Sequence, residues 1–294
     1  MRKLLPTALL FFAFAGPATA SDDDLTDRDK AANWSLSAAG GATVIDGGGD
    51  QPFLRLAATR LLGDAYVHAS LTHFAVRDAF GLVDIVPAST WQAALGGGYS
   101  FGKVSVDAYG AIGWRKFQQE EFFRRGGSDI TIDSQGKTLS GGLSLTYQLD
   151  LDNRSALYPF VAGDISRIDT ARAIVVETRG TIAQKERQNG KTGSLGLTAD
   201  RLLGAEGEHR IEAYVAFVAT SNSAVAIRNT APITAARLFG PQDFPGFKQD
   251  WAEYGASATL QVSEPVLLDI SAVRTAGFRG GDSTNLFAGL RYRF

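Results

Sequence analysis

The chain has 294 residues, no cysteine, 29 Lys and Arg against 31 Asp and Glu, and a formal net charge of −2. The missing cysteine excludes a disulfide framework and a thiolate metal site, and the lack of any basic tract excludes a nucleic-acid surface. Beyond residue 20 no run of about eighteen apolar residues occurs, which excludes a membrane helix but not a barrel, whose alternating strands hide their apolar face from an averaging window.

The chain opens on Met1, Arg2 and Lys3, followed by an apolar run over 4–14 broken only by Pro6 and Thr7. Gly16 and Pro17 end that run, and Ala18-Thr19-Ala20 has the small-x-small form of a cleavage site. Residues 1–20 therefore read as a cleaved signal peptide and are set aside from the fold. Residues 21–33 carry Asp22, Asp23, Asp24, Asp27 and Asp29 and read as a short, disordered periplasmic leader.

From Trp34 onward, segments with a period of two recur to the end, so 34–294 reads as one barrel domain. The predicted strands are 34–44, 53–62, 65–76, 91–101, 104–115, 138–149, 157–169, 192–202, 210–219, 251–262, 266–274 and 284–294. Tight turns are predicted at 63–64 and 102–103, with longer ones at 150–155, 203–208 and 263–265. Long connections are predicted at 77–89, 116–135, 170–191 and 221–250. The alternation of short turns with long connections, and the even number of about twelve strands, predict an all-β, up-and-down antiparallel transmembrane barrel. A soluble sandwich has no reason to sort its connections in this way.

The last strand puts Leu286, Ala288, Leu290, Tyr292 and Phe294 on one side and Asn285, Phe287, Gly289, Arg291 and Arg293 on the other. Its apolar side is expected to face lipid, with Tyr292 and Phe294 in the interfacial girdle. Gly289, Tyr292 and Phe294 also resemble the C-terminal signal by which bacterial barrels are recognised for insertion, although Phe287 stands where that signal usually has a polar residue. By the same alternation Arg55, Asp107, Glu212, Asp269, Arg291 and Arg293 are expected to line the lumen. There, charges of both signs are expected to pair across a narrow space.

The strand rhythm, the ending Ala288-Gly289-Leu290-Arg291-Tyr292-Arg293-Phe294 and the segment Leu157-Tyr158-Pro159-Phe160-Val161-Ala162 together resemble the translocator, or β-domain, of autotransporters. The resemblance implies a twelve-stranded barrel in the outer membrane. Members of that family carry a large secreted passenger ahead of the barrel, threaded by a helix. Only 21–33 precedes the first strand here, so a barrel without a passenger is expected and the secretion function is not carried over.

Other chemistry finds little support. His68 and Ser70 share a strand face with Tyr66 and Thr72, and the His-x-Ser spacing resembles that of outer-membrane lipid A deacylases. Those enzymes have Asn after the serine, where this chain has Leu71. No third group to orient the histidine can be assigned, so the pair reads as polar lumen lining. His68, His73 and His209 do not form a metal set, since the first two point to opposite faces and the third lies at a turn. Gly96-Gly97-Gly98 sits within a strand, where glycine serves bending or close packing rather than phosphate binding. No cofactor is expected.

Two loop clusters remain. Phe117, Phe122, Phe123, Arg124 and Arg125 form one; Leu238, Phe239, Pro241, Phe244, Pro245 and Phe247 form the other. They either fold over the mouth or contact lipopolysaccharide, a polymer or a protein. The expected function is that of a monomeric, non-enzymatic outer-membrane barrel presenting surface loops. The alternative is a small-solute, porin-like channel, and a lipid-modifying hydrolase is the third reading. The expected partners are outer-membrane lipid, lipopolysaccharide and the barrel-assembly machinery.

Overall fold

The structure is a computed structural model, and it describes residues 7–8, 33–46, 51–76, 88–122, 130–176, 180–225, 246–279 and 281–294. Twelve long antiparallel strands follow one another in chain order: β1 (Trp34–Ile45), β2 (Gln51–Leu62), β3 (Ala65–Val76), β4 (Ala88–Phe101), β5 (Val104–Phe117) and β6 (Ile130–Tyr147). They continue as β7 (Ser155–Val176), β8 (Gly180–Leu203), β9 (His209–Thr220), β10 (Gln249–Ser263), β11 (Val266–Ala276) and β12 (Ser283–Arg293). Each pairs with its predecessor, and β12 pairs with β1 from Ser283 opposite Ile45 to Arg293 opposite Ser35. The sheet is therefore closed and leaves no edge inside the barrel wall. Short strands at Glu120–Phe122 and Leu149–Asp152 extend the ladder locally, and Thr7–Ala8 pairs with Val44 and Ile45 of β1. The helical content among the described residues is the 3-10 turn Ser223–Val225.

The two ends differ. At one end Gly63 and Gly102 adopt left-handed φ angles of 68° and 60° and start two-residue hairpins that match the twist of their strands. Trp34, which opens β1, and Phe294, which follows β12, lie at the same end and exchange two backbone hydrogen bonds of 3.0 Å. Pro159 of β7 has no N–H to offer the ladder. Opposite it the pairing with β6 stops at Thr146 and resumes with the short strand at Leu149, while on the β5 side Gln148 N donates to Lys103 O at 2.7 Å.

The wall is inverted relative to a soluble protein. Its outer side carries exposed Leu54 and Leu56 of β2, Leu95 of β4, Leu139 and Leu143 of β6 and Leu195 of β8. Its inner side buries Thr43, Thr72, Thr90, Gln92, Ser144 and Thr198. A contiguous band of large apolar side chains around the whole outside is stable against hydrocarbon and not against water, so the band marks a bilayer. Trp91 and Trp114 bound it at one end; Trp34, Tyr99, Tyr147 and Tyr292 bound it at the other. On β6 the band runs from Lys137, which pairs with Trp114, to Tyr147. At about 3.3 Å per residue and a tilt near 40°, that is about 25 Å along the normal, the height of a barrel's apolar band.

Two predicted connections are strand instead. β6 begins at Ile130 rather than 138, and β7 and β8 run through most of 170–191, paired from Ser155 opposite Arg201 to Val176 opposite Gly180. The sheet thus continues past the rim. Beyond Thr192, β8 has left its partner β9, and Gly180–Arg187 is exposed on both faces. Residues 21–32, most of the signal-peptide segment, and the loop residues Phe123, Arg124, Arg125, Leu238, Phe239, Pro241, Phe244 and Pro245 lie outside the described residues.

Candidate functional site

The lumen wall is where polar chemistry concentrates. Inward positions alternate along every strand, and Arg55, Asp107, Glu212, Asp269, Arg291 and Arg293 all occupy them. Their partners are neighbours on the wall. The Arg210 guanidinium of β9 lies 2.6 Å from Asp200 of β8 and 3.1 Å from Glu212 of its own strand. Ser257 of β10 donates to Glu212 at 2.6 Å, and the Ala156 N–H donates to Asp200 at 3.1 Å. Arg291 Nε of β12 donates to Asp269 of β11 at 3.1 Å, and Thr259 of β10 donates to the same carboxylate at 2.8 Å. The contacts of Asp200, Glu212 and Asp269 thus run along the wall. Adjacent strands lie about 4.8 Å apart, within reach of Arg and Asp side chains, whereas the bore is several strands wide.

A second set of contacts was not foreseen from sequence. Tyr66 of β3 donates to Asp107 of β5, passing over Gly98 of the intervening β4. A Cβ on Gly98 would lie 2.3 Å from Asp107 Oδ1 and 2.5 Å from Tyr66 Cε1. The arrangement repeats around the barrel: Tyr109 of β5 donates to Asp164 of β7 at 2.8 Å over Gly142 of β6. There a Cβ would lie 1.9 Å from Asp164 Oδ1. Glycine at the middle strand lets a tyrosine lie flat and reach a carboxylate two strands away. Of the run Gly96-Gly97-Gly98, the third serves close packing in this sense, and the His68 ring lies where a Gly96 side chain would be.

Towards the other end of the lumen, Glu253 of β10 is fully buried and accepts from Tyr214 of β9 at 2.6 Å and from Trp251 Nε1 at 3.0 Å. Phe160, Tyr214, Trp251 and Phe278 form an apolar inner patch beside it, with Phe160 and Tyr214 stacked at 6.1 Å and Trp251 edge-on to Phe278 at 5.1 Å. The inward parity of Phe160, Tyr214 and Trp251 is the signal that could have pointed to this patch.

The three histidines lie apart. His68 is buried on the inner side beside Ser70. His73 faces outward, 4.6 Å from the Trp91 ring and 2.8 Å from Ser89 Oγ. His209 Nδ1 accepts from the Gln261 N–H at 3.1 Å. Gly289 faces inward, where a Cβ would lie 2.6 Å from Ala39 Cβ and 2.8 Å from the Phe287 ring. Tyr292 and Phe294 face outward with their rings stacked at 5.8 Å.

A closed twelve-stranded barrel with an apolar outside and a charged inside invites comparison with known barrels. The family model described as Autotransporter beta-domain matches residues 86–272. The chain belongs to that family. Its fold is similar to the translocator domain of the autotransporter NalP from Neisseria meningitidis, with a TM-score of 0.65 and 12% identity over 93% of this chain and 90% of that one. It is also similar to the beta domain of the Bordetella autotransporter BrkA, with a TM-score of 0.60 and 15% identity over 90% of this chain and 99% of that one. No curated protein matches the sequence. This autotransporter β-domain is an outer-membrane barrel. In outer-membrane barrels short turns face the periplasm and long connections the outside.

Proposed function

We propose that this β-domain is a non-enzymatic outer-membrane barrel whose working surface is the sheet that β6, β7 and β8 carry beyond the outer rim. The observation that carries this reading is the outer half of β8. Gly180–Arg187 keeps strand pairing with β7 while both of its faces are exposed. Loops that serve only to close a hairpin need not be built as an ordered sheet, whereas a sheet holds its exposed side chains in fixed positions for a partner. In this reading residues 1–20 direct export and are cleaved, and the barrel acts as a monomer. The assembly machinery reads Gly289, Tyr292 and Phe294.

The chain lacks cysteine, so single cysteines can be placed cleanly. Ala183→Cys, on the outer part of β8, should react with a membrane-impermeant maleimide on intact cells. Ala205→Cys, in the turn between β8 and β9, should react only after lysis. Labelling of Ala205→Cys on intact cells, or protection of Ala183→Cys there, would overturn the reading.

A pore is the second reading, favoured by a lumen that is polar along most of its length. Steady single-channel openings in a planar bilayer would support it, and silence would favour the display scaffold. The hydrolase reading requires His68 and Ser70. It is abandoned if His68→Ala and Ser70→Ala leave the lipid A and phospholipid profiles unchanged.

A further inference from the structure

We propose that the outer face of β6–β8 holds the phosphorylated headgroup of an outer-leaflet glycolipid, with one of its acyl chains lying in a groove beneath. The groove is a cavity of about 590 Å³ on the lipid-facing side of the wall, in the size range of small-molecule sites, about 300–1,000 Å³. It is lined by Leu139 and Gly141 of β6 and Ile165 of β7, together with Arg167 of β7 and Asn189 and Lys191 of β8. Gly141 adds no side chain to this lining, while Leu139 and Ile165 are strongly exposed to the bilayer. These residues are immediate cross-strand neighbours, with Arg167 opposite both Leu139 and Asn189, and Ile165 opposite both Gly141 and Lys191.

The charge above the groove points to the ligand. One row further out, Trp114, Lys137, Asp169 and Arg187 sit side by side on β5 to β8. Asp169 binds both Arg167, at 2.6 Å, and Arg187, at 2.7 Å. One carboxylate therefore fixes two guanidiniums at the edge of the apolar band. Lys137 shares the row of Asp169 and Arg187, so at this level Lys137, Arg167 and Arg187 face one carboxylate, while Lys191 lies two rows further in beside Ile165. Elsewhere around the rim the outward cation Arg274 is matched by Asp46, and β10 presents Asp250. Among the described residues, Lys248 stands two positions before Asp250, so these sites are balanced where β6–β8 carry an excess of cations. Guanidiniums fixed on one edge by Asp169 suit phosphate through the N–H groups that the carboxylate does not take. An apolar groove directly below a phosphate site is complementary to a lipid and not to a soluble anion or a peptide.

The test uses the full-length barrel in detergent micelles, with native mass spectrometry counting retained lipid. The probes are diphosphorylated lipid A, the same lipid enzymatically dephosphorylated, and inorganic phosphate as competitor. The wild-type barrel should retain diphosphorylated lipid A well above the dephosphorylated form, and millimolar inorganic phosphate should not displace it. The double variant Arg167→Gln/Lys191→Gln should bind about thirtyfold more weakly, the order expected for two cations facing an anionic lipid. Lys185→Gln, further out on β8, should bind like wild type. Equal retention of the two lipid forms by wild type would overturn the proposal whether or not the variants fold. Displacement by inorganic phosphate, or equal loss in Lys185→Gln, would do so too.

Discussion

Gly142→Ala tests whether the tyrosine–carboxylate bridges hold the barrel wall. The new methyl would lie 1.9 Å from Asp164 Oδ1, 2.9 Å from its Cγ and 2.7 Å from Tyr109 Cε1. Asp164 and Tyr109 cannot both stay, so the 2.8 Å hydrogen bond between them is broken. A hydrogen bond to a charged group contributes about 1.5–3 kcal/mol. Forcing a methyl into a packed site costs about 1–3 kcal/mol more. Replacing glycine in a strand returns about 0.5–1 kcal/mol. The net loss is about 3 kcal/mol. Gly163→Ala is the control, since its Cβ would point outward with nothing within 4 Å, leaving only the small gain. The measurement is urea unfolding in micelles, followed by tryptophan fluorescence and by gel mobility with and without heating. In an Asp164→Ala background the bond is already gone and the carboxylate clash with it. Gly142→Ala should then cost only about 1 kcal/mol, the residue of the contact with Tyr109. If the two substitutions are additive, or if Gly163→Ala destabilises as much as Gly142→Ala, the glycine is not holding the bridge open and the reasoning fails.

Deleting Phe294 removes two backbone hydrogen bonds to Trp34 and the ring stacked on Tyr292; mature protein should fall in the outer-membrane fraction, whereas equal levels would show that β12 does not close the barrel as assembly proceeds. Tyr292→Asp should have the same effect by placing a charge in the periplasmic girdle. At the periplasmic turn, Lys103 Nζ lies 2.7 Å from Asp150, and the hydrogen bond from Lys103, then that from Gln148, holds the Asp150 carboxyl below its ordinary range. A depressed carboxyl stabilises above its unfolded pKa and loses that contribution as pH falls through the folded value; the NMR titration midpoint of Asp150 should therefore rise in Lys103→Ala, with little change in stability because both groups are exposed.

How much was legible depends on whether a residue's role is set by parity or by register. Within the membrane one side of every strand must be apolar, so alternation alone sorts Leu286, Leu290 and Tyr292 from Asn285 and Arg291, and closure into twelve strands follows from the sorted connections. Outside the membrane that demand lapses. The segment Thr181-Ile182-Ala183-Gln184-Lys185-Glu186-Arg187 has polar residues on both faces, carries no period and reads as loop, yet it is paired strand because β7 supplies its hydrogen bonds. Tyr66 and Asp107 each read as inward. The two-residue turn at 102–103 even sets Gly98 opposite Asp107. That Tyr66 lies opposite Gly98 depends on the register of β3 against β4, which the long connection between them conceals.

The same registers decide what kind of lumen this is. Charges pairing across the bore would obstruct it and, once separated, would present a strong field of one sign on each wall. Instead Asp107, Asp164, Asp200, Glu212, Glu253 and Asp269 each accept from a donor on the wall, while Arg55, Arg115, Arg210, Arg291 and Arg293 share the inner surface with them. Their charges nearly cancel, and those bound as ion pairs, Asp200 and Glu212 with Arg210 and Asp269 with Arg291, leave one carboxylate in excess. Any current the barrel carries should therefore discriminate weakly between cations and anions, because a pore selects by uncompensated fixed charge. A reversal potential measured across a tenfold salt gradient should lie near zero. Asp269→Asn leaves Arg291 unmatched and should shift it towards anion preference. A strongly cation-selective wild-type pore, or an Asp269→Asn variant indistinguishable from it, would mean that the wall-bound pairs do not set the field in the lumen.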